Sequence, residues 1–174
     1  MRVVATARLD APAGRRIHRG AVSEYRQTYS TTVAAPVSEC FAVLTAFEDY
    51  PRWSSPITSC RVLEREPGGL PKRVEFMLDM TVKTIRYVLD YTFDPPRGAT
   101  WKLVEGDVRD IEGSYRFEES PAGTVATCTQ GIDLGFWLPG FIRSGFEKKA
   151  LRDSVEEFRR AVEARRAAGS GGTS

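Results

Sequence analysis

Histidine is almost missing from this chain. The single one, His18, stands in a basic N-terminal stretch with Arg15, Arg16 and Arg19. A Ser-His-Asp or Cys-His nucleophile needs a histidine placed by the fold, and an HExxH zinc site needs two. Acid–base chemistry would therefore fall to Asp, Glu, Tyr, Cys, Lys or bound water. Cysteine is scarce as well. Cys40, Cys60 and Cys128 are odd in number, form no C-x-x-C and each lie in an apolar segment. That pattern argues against a disulfide framework or a zinc knuckle, and no metal is expected. Buried thiols acting as small hydrophobes fit better. No apolar run approaches the roughly 20 residues that span a bilayer, and no signal-like run precedes Asp10 and Pro12. A reducing, cytoplasmic location is the expectation. Charge of one sign is not in excess either: 25 Lys and Arg against 23 Asp and Glu give +2. A dedicated nucleic-acid binder would carry a basic surplus, so no nucleic-acid partner is expected.

What is present fits one soluble domain: 174 residues, 41% hydrophobic and 28% charged. Residues 1–21 show no period and read as a mobile tail, 22–166 as the folded domain, and 167–174 (AAGSGGTS) as a disordered tail. Tyr25 to Val33 alternates and reads as a strand. Pro36 suits a helix start, and Val37, Cys40, Phe41, Leu44 and Phe47 recur at helical spacing. Pro51 stops a long continuation, so a short second helical turn is expected. Six alternating runs come next, at about 57–65, 72–82, 84–93, 100–105, 111–117 and 124–134, with short turns between them. They predict an antiparallel meander covered on one face. The period then changes. Ile142, Phe146, Ala150, Leu151, Val155, Phe158 and Val162 form one stripe of a helix from about 141 to 166. Such a helix is roughly 35–40 Å long, about the length of an 11-residue strand, so one helix can cross the sheet. Glu156 with Arg160, and Arg159 with Glu163, suit its exposed back.

Particular segments resemble a known family: VAAPVSECFAVLTAFEDYPRW, RVLEREPGGLPKRVEF, WKLVEGD, IEGSYRFEESPAGTVAT and LGFWLPGFI. Together they resemble the START-like, or SRPBCC, superfamily over about residues 25–165, nearest its polyketide cyclase/dehydrase and coenzyme Q-binding branch. The resemblance implies an α+β helix-grip fold. In that fold a seven-stranded antiparallel sheet carries two short helices after the first strand and a long C-terminal helix across its concave face. It leaves the reaction open, because that superfamily holds enzymes, lipid carriers and sensors on one scaffold.

A curved meander gripped by one helix leaves space, and the inward face is rich in aromatics. Phe76, Leu78, Tyr87, Leu89, Tyr91, Trp101, Leu103, Tyr115 and Phe117 are the expected cavity walls, with Trp53 also expected among the ligand-binding residues. Any single aromatic is more often plain core; the set favours a cavity. Gln130 joins them if Cys128 and Ile132 face inward, although Val125 competes for that face. Phe136, Trp137, Leu138, Phe141, Ile142 and Phe146 crowd the junction of the last strand and the helix. That junction reads either as a cavity mouth, with Arg143, Lys148, Lys149 and Arg152 favouring transient membrane-surface contact, or as a staple against Trp53. Glu105 comes after Trp101 and Leu103 at strand spacing, where an inward carboxylate could act as a base; an exposed turn residue is the preferred reading. Arg86 and Arg109 fall outward. No catalytic residue and no cofactor is assigned. The expected function is binding of a hydrophobic small molecule, such as a polyketide, quinone or lipid. The alternative is a polyketide cyclase/dehydrase acting in the same cavity. The oligomeric state is left open.

Overall fold

The structure, a computed structural model, describes residues 26–80, 83–135 and 140–170, with side chains throughout except at 140–147. The order of elements is β1 (Gln27–Val33), α1 (Val37–Thr45), a 3-10 helix (Phe47–Arg52), β2 (Ile57–Arg65), β3 (Pro71–Asp79), β4 (Thr84–Asp94), β5 (Gly98–Gly106), β6 (Asp110–Ser120), β7 (Gly123–Asp133) and α2 (Gly140–Ser170). The strands form one sheet in the order β1-β7-β6-β5-β4-β3-β2, every pairing antiparallel. This is the expected helix-grip arrangement.

Most strands alternate because one face meets α1 and α2 while the other meets solvent, with Val88 a buried exception on the outer face. In β7, Thr124, Ala126 and Cys128 are buried, and Gln130 and Ile132 continue at the same parity. The even positions therefore face inward and Val125 does not. On the convex face, Glu112, Lys102, Asp90, Arg73 and Glu64 occupy one register row across five strands. Their signs alternate, and Arg73 stands 3.4 Å from Glu64 and 3.9 Å from Asp90. Opposite charges across neighbouring strands give small individual gains.

α1 buries Val37, Cys40, Val43 and Leu44. Pro51 falls inside the 3-10 helix rather than ending it. α2 buries Leu151, Val155, Phe158 and Val162, spaced 4, 3 and 4 residues apart so that all four project to one side. Each such side chain contributes about 1.5–3 kcal/mol on leaving water. Phe158 stacks on Phe117 (centroids 5.8 Å apart, planes 9°) and meets Tyr115 at 5.1 Å.

Two readings of α2 are corrected. The helix runs on to Ser170, into the segment read as a tail. Ala167 and Ala168 are strong helix formers, and the Ser170 hydroxyl donates to the carbonyls of Arg166 and Ala167. Glu156 pairs with Arg159, which also bonds Glu163, and this cluster faces β1 rather than the solvent back. Tyr29 donates its hydroxyl to Glu156 at 3.0 Å, and the Ala34 amide donates to Glu163 at 3.1 Å. Ser55, just ahead of β2, donates its amide and hydroxyl to Glu157. The C-terminal half of α2 is thereby tied to the sheet on both sides. Residues 1–25, 81–82, 136–139 and 171–174 lie outside the described residues.

Candidate functional site

Between the concave face and the first half of described α2 lies a cavity of about 240 Å³. Strand parity builds most of it. β4 contributes Ile85, Tyr87, Leu89 and Tyr91, one face of a single strand. β3 adds Phe76 and Leu78, β5 Trp101, β6 Ile111 and Tyr115, and β7 Cys128, Gln130 and Ile132. α1 and the 3-10 helix bring Leu44 and Tyr50, while α2 contributes Ala150, Leu151 and Ser154. Phe76 stacks on Tyr87 at 5.4 Å, and Tyr91 stands 5.8 Å from Trp101. Trp101 lies flat on β6 because Gly113 opposes it. A β-carbon on Gly113 would come within 2.5 Å of the indole and 2.7 Å of the Thr129 carbonyl.

Of the expected wall residues, Phe76, Leu78, Tyr87, Leu89, Tyr91, Trp101, Tyr115 and Gln130 border this cavity. Three do not. Phe117 is taken up by its stack with Phe158, at the filled end of the core. Trp53 packs on Tyr50 at 4.5 Å and on Phe158 at 6.2 Å, joining the short helices to α2. Leu103 packs at the edge of the core without reaching the cavity. A bulge lies just beyond it: Leu89 pairs with Leu103, yet Val88 pairs with Glu105, leaving Val104 as the extra residue. One extra residue reverses the parity of the positions after it. Glu105 is therefore outward, where Arg86 donates to it at 3.1 Å, and it does not enter the cavity. Arg86 is outward too, bonded to Glu75 at 2.6 Å, and Arg109 bonds Asp133 at 3.1 Å. Phe136, expected at the cavity mouth, lies outside the described residues, as do the side chains of Phe141, Ile142 and Phe146.

Sequence reasoning missed several wall residues. Ile85, Ile111, Cys128 and Ile132 were within reach, since each continues the alternation already recognised. Tyr50, Ser54 and Val108 carry no such signal, because a 3-10 helix and tight turns have no long period to read.

No Asp, Glu, Lys, Arg or His is among the described residues that line the cavity. Its polar groups are phenols, amides, small hydroxyls, one thiol and the Trp101 indole N–H, which is buried without a partner. Burial raises the Tyr87, Tyr91 and Tyr115 phenols above their ordinary range. Burial likewise pushes the Cys128 thiol up to about 12, against a hydrogen bond from Tyr115. These groups stay protonated at neutral pH. They can donate hydrogen bonds to a guest, but they do not supply a ready base or nucleophile. Among the described residues no cluster of His, Cys, Asp and Glu could hold a metal ion. None of the described helices is long and apolar enough to cross a membrane.

A family model described as polyketide cyclase / dehydrase and lipid transport matches residues 33–159. No curated protein matches the chain with significance. Among solved structures, an aromatase/cyclase, Zhui, from Streptomyces sp. R1128 superposes with a TM-score of 0.69 at 22% identity, over 85% of this chain and 98% of its own. A START superfamily protein from Mycobacterium smegmatis gives 0.67 at 20% identity, over 80% and 95%. A protein from Thermus thermophilus gives 0.70 at 20% identity, over 83% and 99%. At these identities the likeness is one of fold.

Proposed function

This chain belongs to the polyketide cyclase / dehydrase and lipid transport family, and from that premise we propose that its cavity binds one uncharged hydrophobic small molecule. The observation that carries the reading is the wall itself: a space of about 240 Å³, lined by aromatic and aliphatic side chains and free of charged groups among the described residues. An apolar guest leaving water for such a space gains roughly 25 cal/mol for every Å² of apolar surface it buries. A polyketide, a quinone or a lipid-like molecule offers that surface. Contact with a membrane surface, as a place to collect or release the guest, belongs to the same reading. Lys148, Lys149 and Arg152 are exposed on the first half of α2 and would face anionic headgroups.

Ring closure with loss of water in the same cavity is the second reading. The Tyr87 and Tyr91 hydroxyls favour it, since each could polarise a carbonyl. The lack of a carboxylate, amine or imidazole among the described wall residues weighs against it, because proton abstraction needs a base within hydrogen-bond reach.

Native mass spectrometry of the purified protein is the test, combined with two space-filling variants, Leu89→Trp and Ile111→Phe. A co-purified small molecule on the wild type, lost from a variant that still melts cooperatively, is the expected result. A guest retained by both variants would place binding outside this cavity.

A further inference from the structure

Three of the five described tyrosines have protein partners for their hydroxyls. Tyr29 donates to Glu156, Tyr50 to the Leu44 carbonyl at 2.7 Å, and Tyr115 bonds Cys128. The two that do not, Tyr87 and Tyr91, stand four residues apart on the same face of β4 and both line the cavity. Neither oxygen is among the buried polar atoms sealed from both solvent and partners, so both open onto the cavity space. Building on the reading of the cavity as a ligand site, we infer that its guest is an uncharged molecule of about two fused rings whose polar atoms are hydrogen-bond acceptors, carbonyl or lactone oxygens, placed to take the Tyr87 and Tyr91 protons.

Size sets the first limit. A cavity of roughly 150 Å³ holds benzene, so about 240 Å³ suits a bicyclic molecule. Charge sets the second. With no cation among the described wall residues, a carboxylate or phosphate guest would lose its hydration with no opposite charge to offset the loss. Hydrogen-bond polarity sets the third. A buried donor without an acceptor is rarer, and worse tolerated, than an acceptor with an unused lone pair. Two free phenol protons in an apolar wall therefore select a guest that brings acceptors over one that brings only N–H donors.

Isothermal titration with three bicyclic probes separates these claims. Coumarin carries two acceptor oxygens and no donor, naphthalene has the rings alone, and 1-naphthoate adds a negative charge. Each is titrated into the wild type, Tyr87→Phe, Tyr91→Phe and the double variant. Tyr-to-Phe keeps the ring, so the packing of the wall is preserved. Coumarin should bind the single variants roughly fivefold more weakly and the double variant tenfold or more, at about 1 kcal/mol for each hydrogen bond. Naphthalene should be unaffected or bind slightly more tightly, and 1-naphthoate should not bind. If coumarin and naphthalene respond alike to the substitutions, or if 1-naphthoate binds as well as they do, the acceptor reading is overturned while the ligand site stands. If none of the three binds the wild type, the ligand site itself fails.

Discussion

Removing a single oxygen from Tyr50 and from Tyr91 should have opposite consequences, although both side chains are buried and both border the same cavity. The Tyr50 hydroxyl donates to the Leu44 carbonyl at 2.7 Å, closing the junction of α1 and the 3-10 helix. In Tyr50→Phe that buried carbonyl loses its side-chain donor, at a cost of about 1–3 kcal/mol. For a chain of this length each kcal/mol moves the melting temperature by roughly 2–4 °C, so a mid-range loss of about 2 kcal/mol lowers it by about 4–8 °C. Tyr91 has no such partner. Tyr91→Phe removes a hydroxyl whose burial is uncompensated by the protein, so it should change stability by less than about 0.5 kcal/mol or increase it. Urea unfolding followed by tryptophan fluorescence, with a calorimetric scan to verify two-state behaviour, measures both. Equal destabilisation by the two variants would mean that Tyr91 is held by the protein, and the free-donor description of the cavity would collapse.

Three further outcomes are expected. Phe158→Ala, which removes the ring stacked on Phe117 and touching Tyr115, should cost about 3–5 kcal/mol; a loss under about 1 kcal/mol in urea would show that α2 does not depend on that contact. Glu75, held below the ordinary carboxylate range by its hydrogen bond from Arg86 and by the nearby Arg61, adds stability that is present above the unfolded-state value of about 4.3 and fades as pH falls through the lower folded value. Glu75→Gln should thus trail the wild type at pH 7 and converge with it in strong acid, and a gap that persists at about pH 2.5 would contradict the assignment. Cys60 and Cys128, both buried and pushed up to about 12, should resist a thiol reagent at pH 8 until the chain unfolds; labelling faster than unfolding would mean that the wall opens readily.

The fold was legible because its signals repeat. Six alternating runs, a proline at a helix start and a long apolar stripe leave few arrangements that bury every apolar face. The site was legible wherever it inherits that repetition, as in the row Tyr87, Leu89 and Tyr91. Spacing alone misleads where one residue breaks the count. Trp101, Leu103 and Glu105 look alike in spacing, yet the extra Val104 turns Glu105 outward, as its turn-like surroundings had favoured. Phe117 and Trp53 were misplaced for another reason. Hydrophobicity says that a ring is buried but not whether it meets space or another ring, and Phe158 settles that from a helix distant in sequence. The charge of the cavity was read more reliably than its outline, because few charged residues stand at inward positions.

The placement of β1 carries a consequence for synthesis. Among the described residues its only sheet neighbour is β7, with pairs from Val33↔Thr124 to Gln27↔Gln130, and side-chain bonds to this segment come from α2, later still. On a ribosome adding about 5–20 residues per second, the first strand therefore waits on the order of 5–20 s before a partner exists. An apolar strand left unpaired so long would invite pairing with neighbouring nascent chains. This one carries Thr28, Ser30 and Thr32 along one side and leaves Val33 as its only aliphatic residue. Its composition suits a segment that must remain in water until the last strand and helix arrive to enclose it.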